Sequence, residues 1–81
     1  MDVVSTALNV PAAKSAGVYS TPTPPDGFEL VAAIPTNASG SSCTWATCKA
    51  QSDGTVYVAM RNWTTSAANI HPEYTAVYLK K

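Results

Sequence analysis

Residues 42–62 spell out a β-hairpin. Ser42 to Gln51 reads as an outgoing strand, Ser52-Asp53-Gly54 as the turn and Thr55 to Asn62 as the returning strand. On the return, Val56, Val58 and Met60 share one face while Tyr57, Ala59 and Arg61 share the other. A chain committed to antiparallel pairing there needs more strands to cover its apolar face. Nothing else in the sequence offers a helix to do that work. Six prolines punctuate 81 residues, and β-branched and aromatic residues outnumber strong helix formers between them.

The remaining segments supply the strands. Val3 to Val10 alternates loosely before Pro11, and Lys14 to Thr21 reads as a second strand with Gly17 as a bulge or close-approach point. Thr21 to Gly27 is a stiff connector closing in a Pro-Asp-Gly turn. In the following strand Phe28, Leu30, Ala32 and Ile34 are expected on one face and Glu29, Val31 and Ala33 on the other, with Pro35 ending it. Thr36 to Ser42 is expected as a polar loop with Gly40 at positive φ. It contains Asn37-Ala38-Ser39, a glycosylation acceptor pattern without meaning outside a secretory context. Trp63 to Pro72 reads as a long polar connection. Glu73 to Lys80 closes the chain, with Thr75, Val77 and Leu79 opposite Tyr74, Ala76 and Tyr78. The expected fold is all-β: a small antiparallel β-sandwich of about six strands forming one domain over residues 1–81. Residues 1–23 give the leading strands and Pro-rich connector, and 24–81 the core with hairpin 42–62 and terminal strand 73–80.

A domain of this size buries only about 60–65% of the surface its unfolded chain exposes. Ordering it costs on the order of 120 kcal/mol, which a small core barely offsets. Disulfides offer little help: Cys43 and Cys48 are the only pair, and at odd separation on a strand they point to opposite faces. Metal sites are no better supplied, since His71 is the only histidine. Neither a metal nor a cofactor is expected. Association with other subunits is what remains.

Charged residues make up 12% of the chain and balance to zero, and Lys80-Lys81 is the only adjacent basic pair, which argues against nucleic acid. No run of eighteen apolar residues is present to cross a membrane. The amino terminus does not read as a signal peptide, because Asp2 stands in place of a basic region and Ser5, Thr6 and Asn9 break the apolar stretch.

One series of segments carries a resemblance: PPDGFELVAAIP, a polar loop, a strand, a Gly turn, VYVAMRN, a Thr/Ser-rich loop and a closing TAVYLKK. This order over residues 24–81 resembles the small carboxy-terminal domains that end tail-fibre and receptor-binding proteins of bacteriophages and prophages. The resemblance implies a β-sandwich at the tip of a fibre, commonly a homotrimer, in a virion or extracellular setting. Its partner would be a host cell-surface glycan or protein. It names no ligand, and its loops are too variable for binding residues to be carried over. Arg61 and Asn62 match the R-N of the family motif, where a strand-ending structural role is the plainer reading.

The candidate binding residues are Trp63, Tyr57, Arg61, Asn62 and His71. Trp63, at the junction of strand and loop, could stack on a sugar ring, although capping one end of the core is the favoured reading. Trp45, placed on one face with Cys43 and Thr47, is expected in the core or a subunit interface. Tyr57 and Arg61 are expected to form an amphipathic patch with Tyr74 or Tyr78, serving either a ligand or a neighbouring subunit. His71-Pro72-Glu73 lacks a nucleophile and an oxyanion donor and reads as surface loop. Asp26 and Asp53 each precede a glycine in a turn, leaving too few acids for a glycosidase pair. No catalytic residue is assigned, and the chain is read as a non-enzymatic adhesion module. A structural trimerisation or end-cap domain, and a carbohydrate-binding module of a secreted enzyme, stand as the alternatives.

Overall fold

A computed structural model describes residues 2–37 and 43–81, with the backbone alone at residue 37. Among them are eight strands and no helix: β1 Asp2–Ser5, β2 Leu8–Val10, β3 Ser15–Ser20, β4 Phe28–Asn37, β5 Cys43–Ala50, β6 Val56–Asn62, β7 Ala68–Ile70 and β8 Glu73–Lys80. All pairings are antiparallel. They form two three-stranded sheets, ordered β1-β8-β4 and β3-β6-β5, and a two-stranded ribbon of β2 and β7. The expected loop around Gly40 and the Ala38-Ser39 part of the acceptor pattern lie outside the described residues.

The central strands are the ones with the cleanest alternation. Val56 and Val58 of β6 and Tyr74, Ala76 and Tyr78 of β8 form one buried cluster, so the two sheets pack on each other through these side chains. Ser20 and Tyr74 tie the sheets together further, with 2.7 Å between their hydroxyl oxygens. A second cluster of Val10, Cys43, Met60 and Ile70 continues the core beneath the ribbon, and Trp45 packs against both. The result is long and narrow, 46 × 18 × 14 Å.

Several expectations need correction. Val3 to Val10 does not run as one strand; it divides at Thr6-Ala7. The pairing register nevertheless continues across the gap, from Asp2↔Ala76 and Ser5↔Glu73 to Leu8↔Ile70 and Val10↔Ala68. The break lies opposite His71-Pro72, because Pro72 has no N–H to give the ladder. Thr6 bridges it by donating its N–H to the Pro72 carbonyl at 3.0 Å. For the same reason Trp63 to Pro72 is not wholly a connection, since it contains β7, and the strand count is eight rather than six.

Pro35 does not end β4. It pairs opposite Tyr74, and β4 continues to Asn37. Because β4 is an edge strand, a residue without a backbone donor is tolerated there. The expected faces of β4 hold only as far as Leu30. Val31 is an extra residue between the pairs Leu30↔Tyr78 and Ala32↔Val77, and this bulge reverses the alternation beyond it. Ala33 therefore packs against the core while Ile34 is exposed.

A second bulge, at Ala46 in β5, changes the cysteine argument. Trp45 pairs with Met60 and Thr47 with Ala59, so Thr47 turns outward and does not share a face with Cys43 and Trp45. Cys48, opposite Val58, then faces the core as Cys43 does. No disulfide joins them. What separates the sulfurs is distance along the strand, roughly 3.3 Å per residue, rather than opposite faces.

Candidate functional site

With the core side of each sheet filled, the opposite sides differ sharply in chemistry. On β3-β6-β5 the outward residues are Ser15, Gly17 and Tyr19 of β3, Tyr57, Ala59 and Arg61 of β6, and Thr44, Thr47 and Lys49 of β5. Tyr19 and Tyr57 are cross-strand partners whose rings stand 5.0 Å apart at 45°. The Tyr57 ring also lies over Gly17, where an added Cβ would come within 2.6 Å of its Cζ. Gly17 is thus a close-approach point and not a bulge. Ala59, opposite Gly17, is only 6% exposed yet belongs to neither core cluster, so it is covered by the side chains of this outer face.

Trp63 extends the same face. Trp63 is 67% exposed, which corrects the expectation that it caps the core. Two contacts hold it in place. Its Nε1–H donates to the Thr44 hydroxyl at 2.8 Å, and the Arg61 guanidinium carbon sits 4.9 Å from its ring centroid. Such a stack is stabilising by about 0.5–1 kcal/mol at an exposed site. Its larger consequence is to hold a flat aromatic surface and a planar cation in one fixed relation.

Asn62 explains why Trp63 is thrown outward. Its side chain is fully buried and donates through Nδ2 to the carbonyls of Val10 at 3.1 Å and Ser66 at 2.8 Å. Its Oδ1 accepts from the Thr64 N–H at 2.9 Å and the Thr64 hydroxyl at 2.8 Å. Asn62 therefore ends the strand, pins the loop that follows and cannot itself touch a ligand. That agrees with a structural reading of Asn62 and removes it from the binding candidates.

No family model matches the chain, and no curated protein or solved structure matches it either. The site must therefore be read from its own geometry.

Sequence reasoning grouped Tyr57 and Arg61 with Tyr74 or Tyr78, and the structure does not. Tyr74 and Tyr78 lie in the core between the sheets, where burial pushes both phenols above their ordinary range. The partner of Tyr57 is Tyr19, which was not among the candidates although Gly17-Val18-Tyr19 could have been aligned against Tyr57 once the β3–β6 pairing was known. His71 stands apart, exposed on the ribbon with Nδ1 3.3 Å from the Thr6 carbonyl oxygen. It borders a shallow cleft with Asn9 and Asn69, whose carboxamides hydrogen-bond across the ribbon at 2.6 Å. A second cleft, about 390 Å³, lies at the hairpin end between Pro22, Pro24, Phe28, Leu30, Asp53 and Lys81. Among the described residues, no three of His, Cys, Asp and Glu gather as a metal site would require.

The outer side of β1-β8-β4 is largely apolar, with Thr75 standing between Val3 and Ile34. Val3, Ile34 and Leu79 are 67%, 51% and 59% exposed, and Val31, Ala32 and Val77 complete the strip. Glu29 and Glu73, opposite Leu79 and Ser5 respectively, mark its two ends.

Proposed function

We propose that the chain is a non-enzymatic adhesion module. It would be a β-sandwich that works as a homotrimeric fibre tip of the phage tail-fibre kind, binding a host cell-surface glycan through the outer face of β3-β6-β5. The observation that carries this reading is the Trp63–Arg61 stack standing in the open beside the Tyr19–Tyr57 pair. An exposed indole offers the apolar face of a sugar ring a stacking surface. Thr44 accepts a hydrogen bond from the indole, and Ser15 and Thr47 add hydroxyls elsewhere on the same face.

The opposite outer face supports association with copies of itself. A strip of Val3, Ile34, Val77 and Leu79 facing a common axis would be covered by the same strip on neighbouring copies. The aromatic face would then point outward, as adhesion requires. Individual sites would be weak, and linkage of three on one fibre would raise their effective strength.

The test is a glycan array probed with the purified protein and with Trp63→Ala. Binding to surface polysaccharides that disappears in the variant, with the fold intact by circular dichroism, is the expected result. Silence of the wild-type protein across the array, with a trimer present, would overturn adhesion and leave the end-cap role. Glycan binding by a monomer would favour the carbohydrate-binding module instead.

A further inference from the structure

The chain is neutral overall, and its acids are kept off one face, while two of its five basic residues, Lys80 and Lys81, lie at the end of β8. Its five acids are Asp2, Asp26, Glu29, Asp53 and Glu73. Glu29 and Glu73 stand on the outer face of β1-β8-β4, and Asp2 is on β1 of the same sheet. Asp26 is in the turn before β4, and Asp53 is at the hairpin tip with its carboxylate engaged by Thr55. None stands on the outer face of β3-β6-β5, which carries Lys49 and Arg61. Exposed Lys14 lies one residue before the Ser15 that pairs with Arg61.

Arg61 is therefore a cation without a carboxylate on its own face. Its Nε is buried with no acceptor, and its guanidinium lies against the Trp63 ring. That contact holds the guanidinium beside the indole. A planar guanidinium recognises a planar anion with two parallel hydrogen bonds, and a carboxylate fits that fork. Lys49, two pairs along the face opposite Tyr57, adds a second positive charge without geometric demand.

We infer that this face selects a carboxylate-bearing glycan, a polymer of uronic or sialic acid type, over neutral sugars. Arg61 receives the carboxylate, Trp63 stacks on the ring that bears it, and Lys49 draws in the next acidic residue of the polymer. This inference rests on the adhesion reading and narrows its ligand class.

The experiment is fluorescence titration of the protein with oligogalacturonate, oligosialate and a neutral malto-oligosaccharide of similar length, at low and high salt. One acidic probe should bind at least roughly ten-fold more tightly than the neutral one, with the preference shrinking as salt rises. Arg61→Gln should remove roughly ten-fold or more of acidic-probe affinity, a larger loss than it causes for the neutral probe. Lys49→Gln should lower it less and steepen no other dependence. Trp63→Ala should remove binding of every sugar. Equal affinity for acidic and neutral probes, or an Arg61→Gln variant that binds acidic sugar as the wild type does, would overturn the acidic selectivity while leaving adhesion standing. Absence of binding to all three probes would overturn both.

Discussion

The carboxamide of Asn62 and the indole next to it have opposite roles, and substitution should separate them. Asn62, itself fully buried, donates to two carbonyls and accepts from Thr64 where the strand meets the loop. Truncating it leaves the Val10 and Ser66 carbonyls to find other partners where water is scarce. Asn62→Ala should therefore cost about 2–3 kcal/mol, read as a lower midpoint in urea unfolding. Trp63→Ala removes an exposed stack and one hydrogen bond at the surface, and should cost less than about 1 kcal/mol. If Trp63→Ala proves the more damaging of the two, the indole is structural and the binding face loses its centre.

At the scale of the elements, the turn of the β5–β6 hairpin carries an acid-sensitive contact. Gly54 takes φ = 89°, and Gln51 closes the loop by donating its N–H to the Thr55 carbonyl at 2.8 Å. The Asp53 carboxylate accepts from the Thr55 hydroxyl at 2.6 Å and from its N–H at 3.0 Å, and these bonds hold its pKa below the ordinary 3.8. A depressed carboxylate contributes stability above its unfolded pKa and loses it as pH falls through the folded value. Asp53→Ala should thus be less stable than wild type near neutrality, and the two should converge below the carboxylate range. Urea midpoints measured from neutral to strongly acid pH check this; a constant difference across the range would contradict it.

This hairpin and β8 were legible in the sequence because alternation and turn chemistry agree there. Val56, Val58 and Met60 are buried as their spacing implies, and so are Tyr74, Ala76 and Tyr78. What the sequence did not disclose were the bulges at Val31 and Ala46, since one extra residue leaves no compositional mark and yet reverses every face beyond it. That reversal moved Ile34 outward and Cys48 inward, where burial raises its thiol pKa. The three residues of β7 were hidden for a different reason. They are too short to show a period, and they form only because the register of β1 and β8 carries on past Pro72. The site was half legible: Tyr57, Arg61 and Trp63 were in view, but Tyr19 and Thr44 join them only through strand pairing.

The whole molecule is a slender body with two unlike outer faces, one largely apolar and bounded by acids, the other aromatic and basic. For 81 residues with no disulfide, an uncovered strip of Val3, Ile34, Val77 and Leu79 is surface that association would remove from water, at roughly 25 cal/mol per Å². The proposed trimer gives that strip a place and leaves Trp63 pointing away from the axis. Sedimentation equilibrium at high micromolar concentration, on the wild type and on the Ile34→Lys/Leu79→Lys variant, tests this arrangement most directly. The account predicts three times 8.5 kDa for the wild type and a folded species of 8.5 kDa for the variant. A wild-type protein that stays at 8.5 kDa across the range, or a variant that still assembles, would contradict it.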